Sequence, residues 1–392
     1  MHSGPLLKGM FWLGVGTVVY AYVLYPLLIW LLASLRVERP AARAAAAPAP
    51  RQITIVLAVH NEAARIRARL DELVALIAGT GVAAEVIVVA DGCADGTAAL
   101  ARAHPSPLVR VIELPENEGK AQALSRACAA AQGEILVFAD ARQRWAEDAL
   151  QRLLENFDRP GVGAVSGALV LDAAPGVLAG VGLYWRYEKW LRRNEGRVHS
   201  TVGVSGSICA VRRELFRPIP RGLLLDDLYW PLRVVMQGQR VVYDERALAY
   251  DRLPPEAAHE FRRKVRTLSG NLQLAAWLPQ SLLPWRNPIW LQFISHKLLR
   301  LLVPWALILL LISSALLDGR FYGAAILAQL LFYGAALLAL AGGPLARSRL
   351  AAAAASFVVL NAAAWLAFWV WICGRAEGTW KKVTYDAPFS AD

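Results

Sequence analysis

The sequence predicts an α/β domain built on a mostly parallel sheet, set between membrane-spanning helices near both ends of the chain. Between residues 51 and 250, short β-rich runs alternate with helical patterns, and long apolar segments flank that block. Composition agrees: of 392 residues 56% are hydrophobic and only 19% charged, and 14 are Trp. Soluble domains carry about 25% charged residues, and indole rings collect at membrane–water interfaces.

Residues 11–35 form the first apolar stretch, long enough to span a bilayer. Arg36, Arg39, Arg43 and Arg51 follow it, against Lys8 alone before it. The positive-inside rule then places the domain that follows in the cytoplasm. A cleaved leader is the alternative, because the alanines at 41–47 resemble a cleavage site, but a leader has a shorter apolar core. These features predict an anchor over 1–39 and a linker over 40–50.

The domain expected over 51–269 opens with a strand at 53–59 and a helix from Glu62 to about Ala78. Further strands fall at 85–90, 108–114 and 134–139, with helices from about Asp95 and around 119–131. Such alternation implies βαβ crossovers and a sheet covered on both faces. Ligands of such sheets bind beyond the carboxyl ends of the strands. Residues 270–297, broken by Pro279, Pro284 and Pro288, predict helices lying in the membrane interface. Spans are expected at about 298–317, 321–341 and 350–373, within a membrane block at 298–374, before a tail at 375–392. Arg347 and Arg349 fit a cytoplasmic loop. Four spans would then leave Arg375, Lys381 and Lys382 outside, against the charge rule.

The net charge of +11 is scattered, with no basic run interleaved with aromatics, which excludes a nucleic-acid partner. It suits an anionic membrane surface and a phosphate-bearing substrate. The four cysteines, Cys93, Cys128, Cys209 and Cys373, lack metal-ligand spacing and disulfide-scaffold density.

Three groups of residues have the chemistry of a site. His60-Asn61-Glu62, Asp91-Gly92 and Asp140 follow the first, second and fourth strands, where one cleft collects them. Each acid taken singly is a common cap or turn former. Asp226-Asp227 opens an amphipathic helical run, as a charged helix start or as a pair holding a general base. The small residues of 204–216 suit close approach to a ligand or a packed turn. Arg263 and Arg266 share a helical face, on a membrane-surface helix or as a diphosphate clamp.

VLAVHNEAARI, VVADGCADGT, NEGKAQAL, VFADAR, LLDDLYWPLRV and RRKVRT occur in the order found in family 2 glycosyltransferases. Over about residues 51–270 the chain resembles the membrane-bound members: hyaluronan, cellulose and poly-N-acetylglucosamine synthases and ceramide glucosyltransferase. The resemblance implies a GT-A, Rossmann-like domain with Glu62 and Asp91 at the nucleoside, Asp91 near the base, and Lys120 near the nucleotide. Asp140 matches the first acid of a DxD motif that binds the diphosphate and Mg²⁺ or Mn²⁺. Asp227 matches the catalytic base, with Asp226 replacing the usual Glu beside it. Arg263 and Arg266 match a Q/RxxRW signature, and Gly206 lies in the segment that shapes the acceptor site. Two positions depart from the pattern: Arg142 replaces the second acid of DxD, and Thr267 replaces the Trp found in processive synthases.

The activity so implied is inverting transfer from a nucleotide-sugar, commonly a UDP-sugar, to a lipid or glycan acceptor at the bilayer. Two other classes fit parts of the sequence: a catalytically inactive nucleotide-sugar-binding subunit and a transporter subunit.

Overall fold

The computed structural model describes residues 3–36, 52–172, 178–252, 257–342 and 348–375. The expected linker at 40–50 and all but the first residue of the tail lie outside the described residues, as do Arg347, Lys381 and Lys382. The chain begins with α1 (Ser3–Val19), which passes through a π-turn into α2 (Tyr25–Leu35). Next come β1 (Gln52–Val59), α3 (Ile66–Thr80), β2 (Ala83–Asp91), α4 (Thr97–Arg102), β3 (Val109–Leu114) and α5 (Lys120–Ala130). They lead into β4 (Ile135–Ala139), β5 (Arg144–Trp145), α6 (Ala149–Glu155), β6 (Val162–Asp172), α7 (Leu178–Val198) and β7 (Ile208–Arg212). The domain ends with α8 (Asp226–Met236), β8 (Arg240–Arg252) and α9 (Ala257–Trp277). A short α10 (Trp290–Gln292) continues by a π-turn into α11 (Leu299–Leu316), followed by α12 (Arg320–Leu340) and α13 (Arg349–Ile372).

Among the described residues eight strands form one sheet, in the order β3-β2-β1-β4-β7-β6-β8-β5. Strands β1 to β4 pair in parallel, while β7 runs antiparallel to both β4 and β6. The run QITIVLAV shows why these strands read as continuously apolar. Ile53, Ile55, Leu57 and Val59 face a core shared with α3 and α6, and Val56 and Ala58 face another shared with α5 and α8. Side chains alternate between faces, so a sheet covered twice needs apolar residues at nearly every position.

Among the described residues, four helical stretches are long and apolar enough to cross a membrane: Gly4–Leu35, Trp290–Leu316, Arg320–Leu340 and Leu350–Ile372. Two boundaries differ from the sequence expectation. The first stretch begins before residue 11, taking Lys8 into its opening turns. The second begins at Trp290, not 298, so 270–297 is no single interfacial unit. Residues 270–277 complete α9, and Pro279, Pro284 and Pro288 all fall in the connection that precedes Trp290. Proline interrupts a helix only from within.

The sheet domain rests directly on the apolar helices. Leu191 of α7 packs against Tyr25 and Ile29 of α2, and Val265 of α9 against Ala363 and Ala367 of α13. Gly14 lets α1 approach α11 closely, because a Cβ there would lie 2.9 Å from the carbonyl oxygen of Ala306.

Candidate active site

The carboxyl ends of β1, β2 and β4 open onto one cleft. Asp91, the last residue of β2, is fully buried. Its two carboxylate oxygens accept the backbone N–H groups of Glu118 and Gly119 at 2.7 and 2.9 Å. The Asp91 carboxylate thereby anchors the loop preceding α5. Gly92 is required for that anchoring, since its φ is +57° and a Cβ would lie 2.4 Å from the Asn117 nitrogen. Gly119, at φ +88°, turns the chain into α5. The loop so held presents Lys120, the first residue of α5, to the cleft.

Lys120 Nζ donates to Asp140 Oδ1 at 2.8 Å. Burial alone would lower the proton affinity of this amine. The carboxylates of Asp140, Asp226 and Asp227 outweigh burial and hold Lys120 above its ordinary value. Asp140 is in turn fixed from below. Arg69, buried on α3, donates from Nε to the Asp140 carbonyl at 3.1 Å and pairs with Glu72 at 2.9 Å. Arg142, at the second DxD position, pairs with Asp251 on β8 at 2.6 Å, so this cation braces the loop from its far side. No group of three His, Cys, Asp or Glu side chains among the described residues is placed to hold a metal. Asp140 supplies one carboxylate, which fits an ion taking its remaining ligands from phosphate and water.

Asp226 and Asp227 are the first two residues of α8, both half-buried at the cleft. Burial raises the proton affinity of each. For Asp227 the neighbouring Asp226 charge adds to the effect and carries the pKa up to about 6, while Lys120, Arg192 and Lys297 oppose it. Pro231 explains how the next segment is attached. It lies inside α8 and has no N–H, so the Asp227 carbonyl lacks the helical donor expected four residues on. The N–H of Val204 takes that place at 2.9 Å. The bond ties residues 204–206 to the helix bearing Asp227. A Cβ at Gly206 would lie 3.5 Å from both Asp227 Cβ and Lys120 Nζ, so Gly206 faces the point where the two meet.

The structure therefore brings Lys120, Asp140, Asp226, Asp227 and Gly206 together. Arg266 joins them electrostatically, lowering the proton affinity of Asp226. Arg263, expected to act beside it, grips Glu260 one turn earlier with two bonds of 2.7 and 2.9 Å. Glu62 lies in the loop after β1, paired with Arg65 at 3.0 Å. Sequence reasoning missed Arg69 and the Arg142–Asp251 brace, whose partners are 71 and 109 residues away. The proline five residues after Asp226 was a visible signal for the Val204 link.

Residues 54–219 match the model of glycosyl transferase family 2. They form a family 2 glycosyltransferase domain. A succinoglycan biosynthesis protein, ExoO, of Rhizobium meliloti is 36% identical over 109 residues, 28% of this chain and 30% of that protein. A dolichyl-phosphate beta-glucosyltransferase of Drosophila melanogaster is 38% identical over 99 residues, 23% of this chain and 30% of that one. Poly-beta-1,6-N-acetyl-D-glucosamine synthase of Staphylococcus aureus is 24% identical over 225 residues, covering 56% of this chain and 54% of the synthase. The chain thus spans about half the length, or less, of these curated relatives. Its GT-A fold is similar to that of a mannosyltransferase from Pyrobaculum calidifontis, solved in complex with GDP-Man and Mn²⁺. The TM-score is 0.69 at 24% identity, over 94% of this chain and 99% of the other.

Proposed function

We propose that this chain is a membrane-embedded inverting glycosyltransferase that moves a sugar from a nucleotide-sugar to an acceptor at the membrane face. The observation that carries the reading is Asp227, half-buried and raised in proton affinity, facing the Lys120–Asp140 pair at the ends of the parallel strands. An aspartate with a pKa near 6 is ionised at neutral pH yet basic enough to accept the proton of an attacking hydroxyl.

In this reading the donor diphosphate lies by Lys120 and Asp140, with Arg266 turned toward it from α9. Asp140 would hold a divalent cation, Mg²⁺ or Mn²⁺, jointly with diphosphate oxygens, and that ion supplies Lewis-acid neutralisation of the leaving group. Glu62 borders the nucleoside end, and Asp91 acts through the loop it anchors. The acceptor hydroxyl gives its proton to Asp227 and attacks the anomeric carbon opposite the departing diphosphate, so no covalent enzyme intermediate forms. Lys120 offsets negative charge that develops on the leaving group. Arg36 after the first apolar helix supports a cytoplasmic placement of the domain, where nucleotide-sugars are supplied.

Asp227→Asn tests the reading. Turnover should fall roughly 10²- to 10⁴-fold, the range for a general base, with nucleotide-sugar binding by titration calorimetry unchanged. Unchanged turnover would remove Asp227 from the mechanism.

A further inference from the structure

The helix that carries the candidate base has no side-chain cap of its own. Asp226 and Asp227 are the first two residues of α8, and its N-cap is Leu225, which offers no oxygen to the free helix N–H groups. The residues leading into α8 are irregular. The position of both carboxylates therefore depends on what holds residues 219–225.

Two helices hold this loop, one at each end. At its start, Gln122 of α5 donates to the Ile219 carbonyl at 3.0 Å and Ser125 accepts the Ile219 N–H at 2.9 Å. Nearer Asp226 one side chain serves alone, Gln273 of α9. Its Nε2 donates to the Gly222 carbonyl at 3.0 Å, and its Oε1 accepts the Leu224 N–H at 2.9 Å. A single carboxamide thus satisfies a carbonyl and an N–H two residues apart, as the edge of a neighbouring strand would. Gln273 is only 7% exposed, and a buried glutamine without partners is costly, so water does not stand in for these bonds.

The face of α9 around Gln273 is shaped for the contact. Residues 266, 270, 273 and 277 follow one another at four- and three-residue spacing and share that face. A Cβ at Gly270 would lie 2.6 Å from Leu225 Cγ, so the backbone of α9 comes up against the residue next to Asp226. Trp277 Cη2 lies 3.7 Å from the Cβ position of Gly222, where a φ of +81° turns the loop. Arg266, at the other end of the stripe, acts on Asp226 electrostatically. Another face of α9 is fixed in turn, with Val265 packed against Ala363 and Ala367 of α13.

We propose that Gln273 is a positioning residue for sugar transfer: its carboxamide clamps residues 222–224 and so sets where Asp226 and Asp227 stand against the Lys120–Asp140 pair. The proposal rests on the transferase reading above and adds a residue that acts only through the catalytic pair.

The test compares Gln273→Met with Gln237→Met in the full chain in lipid nanodiscs. Methionine keeps the volume and drops both bonds. Gln237 is the control, because its Nε2 donates to the Leu215 and Arg233 carbonyls, both at 3.0 Å, at the far end of α8. Its loss costs similar stability without touching residues 222–224. Nucleoside diphosphate release, with a donor that the native chain turns over, gives kcat; calorimetry gives the donor Kd; hydrogen exchange gives the protection of the Leu224 amide. Gln273→Met should lower kcat roughly 10- to 100-fold, as for a reacting group displaced by about 1 Å, with the donor Kd unchanged. Leu224 exchange should quicken about ten-fold, for a lost hydrogen bond of about 1.4 kcal/mol. Gln237→Met should leave kcat and Leu224 exchange as they are. If Gln273→Met does not fold, Gln273→Asn makes the same test, since it stays polar but is too short to reach both partners. An unchanged kcat in the Gln273 variants would overturn the proposal, and so would an equal fall in Gln237→Met, the mark of general loosening. Native turnover that survives the loss of Gln273 removes this inference and leaves the transferase standing. Absence of native turnover with every donor removes the transferase reading itself.

Discussion

Lys120→Met should shift the acidic limb of the pH–rate profile upward. In the native protein Lys120 lowers the Asp227 pKa, which burial and Asp226 have raised to about 6. Both the Asp227 Cβ and the Lys120 Nζ lie 3.5 Å from the Cβ position of Gly206, so they are within about 7 Å of one another. A unit-charge pair at about 7 Å and an effective dielectric near 20 interacts by roughly 2.4 kcal/mol. At 1.36 kcal/mol per pH unit this is about 1.7 units, and screening at an open cleft reduces it to about one. The base works deprotonated, so native turnover should be half-maximal near pH 6 and that of Lys120→Met near pH 7. The assay is nucleoside diphosphate release at saturating donor between pH 5 and 9. Weaker donor binding lowers the curve without moving its midpoint, and Lys120→Arg should restore the native midpoint. A limb that stays in place in Lys120→Met would refute the coupling between this lysine and the base.

Two other substitutions test the scaffold of the site. Pro231→Ala supplies an N–H that competes for the Asp227 carbonyl now held by Val204. With about 1 kcal/mol at stake, kcat should fall roughly five-fold while the donor Kd stays constant; an unaltered kcat would show that the link is dispensable. Gly92→Ala places a methyl against the backbone of residues 116 and 117 at positive φ. It should lower unfolding stability on the order of 3 kcal/mol, read by denaturant titration, and a change below about 0.5 kcal/mol would contradict the close packing.

The parallel half of the sheet was legible because a strand buried on both faces leaves few polar positions, as ITIVLAV and EVIVVA show. Helix starts were less so. The first helix was expected at Glu62 but begins at Ile66, because Asn61 adopts a positive φ and residues 60–65 form a loop. The antiparallel insertion of β7 between β4 and β6 had no local signal, since it depends on pairing between distant segments. At the site, position after a strand singled out Asp91 and Asp140, and the start of a helical run singled out Asp226–Asp227, but neither says which way each carboxylate points. Asp91 turns inward to Glu118 and Gly119, while Asp140 turns outward to Lys120. The periodicity linking Arg263 and Arg266 was sound, yet Glu260 lies on the same helix and takes Arg263.

Sugar transfer from a nucleotide-activated donor is open to a single assay. The most direct measurement is nucleoside diphosphate release by the full chain in lipid nanodiscs, across a panel of nucleotide-sugars, with and without Mg²⁺ or Mn²⁺. Turnover is expected with at least one donor, dependent on the divalent ion and lost in Asp227→Asn. Nucleotide-sugar binding without turnover of any donor, in the presence of either ion and of membrane lipids, would contradict it.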